Sequence, residues 1–165
     1  PDSVDICFLP HGNYQKLVVE EMKDKPKSGN IVTEDGEVLG KHNGLFNYTI
    51  GQRNGLGIAY KHPLYVIGFN GERNEVIVGP NDRLFTNRMI CKFYNFLDDT
   101  IHKELKAEGK IRYAANPSPC TARILDDDTM EVIFEEPQRA ITPGQSVAFY
   151  NGTQLLGGAV IDRVC

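Results

Sequence analysis

At 165 residues, with 41% hydrophobic, 24% charged and 9% aromatic residues, the chain has the make-up of an ordinary globular protein, which excludes disorder and collagen-like sequence. Its 18 basic and 22 acidic residues leave a net charge of −4, opposite in sign to a typical basic nucleic-acid-binding domain. No apolar run approaches the ~18 residues of a membrane span.

The length admits one domain or two small ones. Sixteen Gly and nine Pro predict many turns and a mainly β chain. Pro1-Asp2-Ser3 shows neither a basic n-region nor an apolar h-region, so no secretory signal is visible. No initiator Met is present, and a piece of a longer protein is expected. Cys7, Cys91, Cys120 and Cys165 form no Cys-x-x-Cys pair and read as cytosolic thiols. His11, His42, His62 and His102 are scattered without a ligand pattern, so no metal site is expected.

The first apolar run is Val4–Leu9, broken by Asp5. Gly12-Asn13 is a fair helix start. Tyr14, Leu17, Val18 and Met22 follow at helical spacing, predicting an amphipathic helix over 13–23 that Lys25-Pro26-Lys27-Ser28-Gly29 ends. The period then becomes two. Ile31-Val32-Thr33 and Val38-Leu39 flank Asp35-Gly36, a hairpin signal. A second hairpin is predicted for Leu64–Phe69 and Glu75–Val78 around Asn70-Gly71. Between them, Gly44–Gly57 carries too many glycines for a regular element and reads as loop.

After Gly79-Pro80 six strand-like runs follow: Arg88–Phe96, Glu104–Ala114, Cys120–Asp126, Met130–Glu135, Ser146–Tyr150 and Gln154–Asp162. Their turns include Thr142-Pro143-Gly144 and Asn151-Gly152. The pattern predicts a small α+β domain over 1–84 followed by a six-stranded antiparallel β-barrel over 85–165.

Several residues invite chemistry. Cys7, between Ile6 and Phe8, is either a small buried hydrophobe or a nucleophile or sulfur carrier, which requires access and a lowered pKa. Cys91 shares a predicted strand face with Met89 and Phe93 and reads as core. Cys120 reads as half-buried, and Cys165 as a mobile terminus. Gln52 and Arg53, in Thr49-Ile-Gly-Gln-Arg-Asn-Gly-Leu-Gly57, offer an amide and a fork of donors suited to phosphate or carboxylate. No P-loop Lys-Ser/Thr follows them. That segment is a structural loop or a binding loop, the latter for tRNA or for a contact between domains. Lys103, Lys106, Lys110, Arg112 and Arg123 crowd one stretch, a basic patch able to follow a phosphate backbone. Tyr113 beside Arg112 adds a ring for stacking. The plain alternative is a solvated strand face.

The order of these segments resembles the tRNA-specific 2-thiouridylases (the MnmA/TrmU family). The resemblance runs through Ser3-Val-Asp-Ile-Cys7-Phe, Asp35-Gly-Glu-Val-Leu-Gly40-Lys-His and Tyr48-Thr-Ile-Gly-Gln-Arg53-Asn-Gly-Leu-Gly-Ile58. It continues through Pro63-Leu-Tyr-Val-Ile67, Ile77-Val-Gly79, Arg112-Tyr113 and Pro119-Cys-Thr121. Val132-Ile-Phe134, Thr142-Pro-Gly-Gln-Ser146, Phe149-Tyr-Asn-Gly152 and Leu156-Gly-Gly-Ala159 complete it. It implies conversion of the tRNA wobble uridine to 2-thiouridine, with ATP activating the base oxygen and a protein persulfide delivering sulfur. It places the persulfide on Cys7, where Val4-Asp5 stand in place of the family's Thr-Gly. It implies tRNA contacts from Arg112, Tyr113 and Gln145.

The family's Ser-Gly-Gly-x-Asp-Ser nucleotide loop and second active-site Cys are absent from this chain. ATP, with Mg, is therefore expected in a missing N-terminal domain, and the chain alone is expected to be inactive. A sulfur-donor protein, a cytoplasmic location, and no membrane or DNA partner complete the expectation. The alternative is a non-catalytic barrel module that binds RNA or protein.

Overall fold

The computed structural model describes residues 19–21, 26–98 and 103–165. Residues 19–21 are helical. The rest of the segment expected to form a helix, and Cys7 with its apolar run, lie outside the described residues. The chain divides into two compact units, Pro1–Pro80 and Asn81–Cys165.

In the first unit, β1 (Gly29–Thr33), β2 (Val38–His42), β3 (Tyr65–Asn70) and β4 (Glu75–Gly79) form one sheet in the order β2-β1-β4-β3. Both predicted hairpins are present. At the first turn Thr33 N–H donates to the Glu37 carbonyl (2.9 Å) and Gly36 N–H to the Thr33 carbonyl (3.0 Å). The sequence did not predict how the hairpins join. β1 and β4 pair in parallel, Ile31 opposite Val76 and Val32 opposite Ile77, leaving β2 and β3 at the edges. Ile31, Leu64, Val66, Val76 and Val78 are the buried core, with Leu45, Tyr48, Leu56, Ile58 and Tyr60 packed against it. The glycine-rich connection thus carries part of the core, with a short 3-10 turn at Leu45–Asn47.

His42 is the buried polar side chain of this unit, at 1% exposure. Its Nδ1 accepts the Gly44 N–H (3.1 Å), so Nε2 carries the proton and donates to the Asn74 carbonyl (2.9 Å). The ring ties β2 to the β3–β4 turn and leaves no buried donor or acceptor unsatisfied.

The second unit is a closed barrel of β5 (Phe85–Phe96), β6 (Glu104–Lys110), β7 (Ser118–Ile124), β8 (Thr129–Arg139), β9 (Ser146–Asn151) and β10 (Gln154–Val164). Its order is β10-β5-β8-β7-β6-β9, antiparallel throughout. Met89, Cys91, Cys120, Met130, Val132, Phe134, Val147, Phe149 and Ile161 fill the interior. Gly109 lies where a Cβ would come 2.8 Å from the Phe134 ring and 2.9 Å from Cys120 Sγ, so the strand can pass the ring only without a side chain.

Three expectations require correction. Phe93 does not share the core face of Met89 and Cys91: it is 69% exposed, with φ 53. Against β10, Lys92 opposes Val160 while Asn95 opposes Gly158, so β5 takes three steps where β10 takes two. This bulge hands the inward face to Tyr94 and Phe96. Cys120 is buried rather than half-buried, at 4% exposure, because β7 begins at Ser118 and turns it inward. The strand expected over Glu104–Ala114 ends at Lys110, and residues 111–117 form the turn into β7.

No helix among the described residues is long and apolar enough to cross a membrane.

Candidate functional site

β6 and β9 are antiparallel, with Lys110 opposite Ala148 as their last paired residues on one side. Arg112 and Tyr113 continue past the end of β6, and Gln145 precedes the start of β9. All three therefore emerge at the same end of the barrel, although Gln145 is far in sequence from the Arg112-Tyr113 pair. All three are exposed, Tyr113 at 81%.

Tyr113 and Gln145 are exposed side chains at this end, whereas Arg112 gives one guanidinium nitrogen to the protein itself. Arg112 Nη2 donates to the Arg139 carbonyl, tying the β6–β7 turn to the end of β8. The Ala115 N–H donates to the Arg112 carbonyl (3.1 Å), closing that turn. Lys110 Nζ lies 5.4 Å from the Tyr113 ring centroid, a cation–π contact that fixes the ring beside two positive charges. Gln145 is clamped through its main chain: its N–H donates to the Thr142 carbonyl (3.2 Å), and its carbonyl accepts from Ile161 N–H (2.8 Å). Its side-chain amide faces solvent.

Sequence reading missed Arg139. Its carbonyl receives Arg112, and its Nε donates to Asn81 Oδ1 (3.1 Å). No local pattern marks it, because β8's end comes beside residues 111–113 only through the pairing of both β6 and β8 with β7.

The basic run of the sequence does not become one patch. Glu104 and Lys110 stand at opposite ends of β6, ~20 Å apart at strand rise. Arg123 sits beside the Glu104 end and is neutralised there by Glu104 (3.1 Å) and Glu131 (3.8 Å). Glu131, 7% exposed, also receives Arg88 Nε at 2.7 Å. This network across neighbouring strands is a structural ion-pair cluster. The Lys110–Arg112 end keeps its charge.

Gln52 and Arg53 lie in the first unit and part company. The Gln52 amide is consumed locally: Oε1 accepts Thr49 N–H (3.0 Å) and Nε2 donates to the Asn54 carbonyl (3.0 Å). Arg53 is exposed, and no hydrogen bond or ion pair holds its guanidinium among the described residues.

Cys91, Cys120 and Cys165 are free thiols. Burial, first, and the charge of Asp162 push the Cys91 thiol up to about 12. Burial does the same to Cys120, also about 12, with the Gly109 backbone opposing it. Neither is a nucleophile at neutral pH.

Comparison with known proteins extends along both units. Residues 16–80 match the family model described as a tRNA methyl transferase PRC-barrel domain, and residues 86–161 match an aminomethyltransferase beta-barrel domain. The chain is 43% identical over 164 residues to the tRNA-specific 2-thiouridylase MnmA of Clostridioides difficile, covering 99% of this chain and 45% of that protein. It is 44% identical to the protein of the same name from Carboxydothermus hydrogenoformans, with the same coverage. With that of Geotalea uraniireducens it is 44% identical over 162 residues, covering 98% of this chain and 43% of that protein. The chain spans somewhat less than half the length of these curated relatives. This collinear likeness through both units makes the chain a member of the tRNA-specific 2-thiouridylase family.

Proposed function

We propose that this chain is part of a tRNA-modifying sulfurtransferase that converts the wobble uridine to 2-thiouridine, using ATP and a cysteine persulfide. Cys7 carries the persulfide, and the barrel end bearing Arg112, Tyr113 and Gln145 supplies tRNA-binding surface. The reading rests chiefly on identity of 43–44% along almost the whole chain to proteins named for that activity. Geometry adds support: Gln145, distant in sequence, shares one barrel end with the adjacent Arg112 and Tyr113, and all three side chains are exposed. A guanidinium and ammonium grip phosphate, a ring stacks on an unpaired base, and an amide reads base edges or 2′-hydroxyls.

In the proposed chemistry the uridine 2-oxygen leaves with AMP after activation by ATP. The terminal sulfur of the Cys7 persulfide takes its place on the ring carbon, and a second active-site thiolate outside these residues attacks Cys7 Sγ, so that the S–S bond breaks, its electron pair stays on the transferred sulfur and the two cysteines are left as a disulfide. A persulfide suits this because its terminal sulfur ionises readily and is reached by the substrate.

The residues described here do not fit a nucleotide triphosphate. The 51–57 loop continues as irregular chain rather than as a helix whose N-terminus would hold phosphates, and its Gln52 amide is already spent. ATP and Mg belong to a part of the protein outside these residues. So does the docking of a sulfur-donor protein, and a cytoplasmic location follows from the same reading.

The test is thiolation of tRNA by the full-length protein supplied with ATP and a sulfur-donor protein that carries its sulfur as a persulfide. Cys7→Ser should abolish product. Arg112→Ala should raise the KM for tRNA and flatten its salt dependence by about one unit of slope, as loss of one phosphate contact does. Full activity of Cys7→Ser would overturn the persulfide role. Unchanged tRNA affinity in Arg112→Ala would overturn the barrel surface.

A further inference from the structure

The connection that forms part of the sheet's core also presents a built outward face. At its base Gly51 N–H donates to the Val66 carbonyl (2.8 Å), and Val66 N–H donates to the Gln52 carbonyl (2.9 Å). This pair of bonds staples the loop to β3. Beyond it the chain alternates. Leu56, Ile58 and Tyr60 pack against the core, while Gly55, Gly57, Ala59 and Lys61 are exposed. Residues 53–64 thus curl around a concavity of ≈ 770 Å³.

Its chemistry is one-sided. The segment Arg53–Leu64 contains Arg53, Lys61 and His62 but no Asp or Glu, in a chain of net charge −4. Lys61 Nζ lies 5.6 Å from the Tyr60 ring. Tyr60 and His62 meet edge to face, with centroids 5.0 Å apart. The outward positions between the cations carry small residues or none. A Cβ on Gly57 would meet nothing within 4 Å, and its φ of 67 is one that glycine adopts without strain. The main chain at the floor is therefore open to a ligand.

We propose that this concavity is a second RNA-binding site, which takes a single-stranded stretch of tRNA. Arg53 and Lys61 hold successive phosphates, and the Tyr60–His62 pair offers a surface for a base. Cations interleaved with aromatic rings are the recognition chemistry of single-stranded nucleic acid. Carboxylates, which would repel phosphate, are absent from the lining. This inference rests on the tRNA reading above, and it adds a contact in the sheet unit that works without the barrel end.

The experiment is tRNA binding by the full-length protein, followed by fluorescence anisotropy over a range of NaCl. The parent, Arg53→Ala/Lys61→Ala, Arg53→Lys/Lys61→Arg and Arg112→Ala are compared. The double alanine variant should weaken binding at least tenfold and flatten the salt slope by about 1.4, two single-strand phosphates' worth. The charge-conserving variant should restore most of both. Photo-crosslinked tRNA should be recovered on peptides spanning 53–64, which is a readout independent of any loss of folding. Parent-like affinity in the double alanine variant, with crosslinks confined to the barrel, would overturn the inference and leave the tRNA reading standing. Absence of tRNA binding by the parent would overturn both. Weakened binding of an acidic polypeptide with tRNA affinity unchanged would replace RNA by a protein partner and so overturn the proposal.

Discussion

The barrel and the four-stranded sheet treat their strand edges differently. Six strands close on themselves in the barrel, so every strand has two partners and no edge is left to pair with another chain. The sheet keeps two edges, and on one of them Val38 is 58% exposed. The difference extends to the cores. The barrel's buried side chains all come from its own strands and adjoining turns, whereas the sheet has a smaller buried set completed by Leu45, Tyr48, Leu56, Ile58 and Tyr60 of an irregular connection. A closed barrel can therefore spend its turns on surface residues such as Arg112 and Gln145. The sheet must use the same loop both for packing and for whatever it binds.

This contrast predicts two separate losses. The largest should follow Phe134→Ala. The ring is 1% exposed at the barrel's centre and fills the space that Gly109 leaves, so its removal should cost about 3–5 kcal/mol through lost burial and a cavity. Amide exchange in β7 and β8 should accelerate, while that of β1 and β4 stays as in the parent. Equal acceleration in both units would break the distinction and show one cooperative core.

Ile31→Ala is the complementary change. Ile31 is fully buried on one of the two central strands of the sheet, opposite Val76, and its truncation should cost about 2–5 kcal/mol. With so small a core, exchange should rise across β1, β4 and the Gly51–Val66 staple together. Protection confined to the staple would show that the connection holds itself without the sheet.

Much of this architecture was legible because it is local. Asp35-Gly36, Asn70-Gly71 and Asn151-Gly152 marked their hairpins through turn chemistry, and alternation marked the strands. The parallel β1–β4 pairing was not legible, since it depends on packing between two hairpins joined by a long irregular segment. Nor was the bulge that turns Phe93 outward, because the signal is a missing step in the partner strand and not a property of Phe93. The candidate site shows the same limit. Arg112, Tyr113 and Gln145 were named by family resemblance, but their common barrel end follows from the β6–β9 register. Arg139 had no sequence signal. The run of basic residues looked like one patch because sequence proximity conceals the length of β6. Cys7, the residue with the most chemistry assigned to it, lies outside the described residues.

A smaller effect separates the units by pH. Cys91 and Cys120 lie only in the barrel, and burial raises both thiols from 9.0 to about 12. Between those values the unfolded chain releases protons that the folded barrel retains, so the unfolded state gains. Their contribution to stability is complete below pH 9 and is lost as pH rises towards 12. The urea midpoint of the barrel should fall over that window, and the fall should shrink in Cys91→Ala/Cys120→Ala. At neutral pH neither thiol should react with iodoacetamide, whereas exposed Cys165 should. An undiminished decline in the double variant would assign the alkaline loss to other groups.

The smallest expected effect is at the β7–β8 turn, on the barrel end away from Arg112. Asp126 Oδ1 accepts hydrogen bonds from Asp128 N–H (3.0 Å), Thr129 N–H (2.8 Å) and Thr129 Oγ1 (2.6 Å). The Thr129 hydroxyl and then the Asp128 amide hold this carboxyl below its ordinary value. A lowered folded-state pKa contributes stability above the unfolded value and loses it as pH falls through the folded one. Asp126→Asn keeps an acceptor oxygen but no charge, so it should reproduce at neutral pH the small loss that the parent shows on acidification, and should itself be less sensitive to acid there. The group is fully solvated, and the change should be visible mainly as faster amide exchange at Asp128 and Thr129, with tRNA affinity unaltered. A marked fall in tRNA affinity instead would mean that RNA reaches both ends of the barrel, and the contrast between a charged end proposed to bind tRNA and an ion-paired structural end would fail.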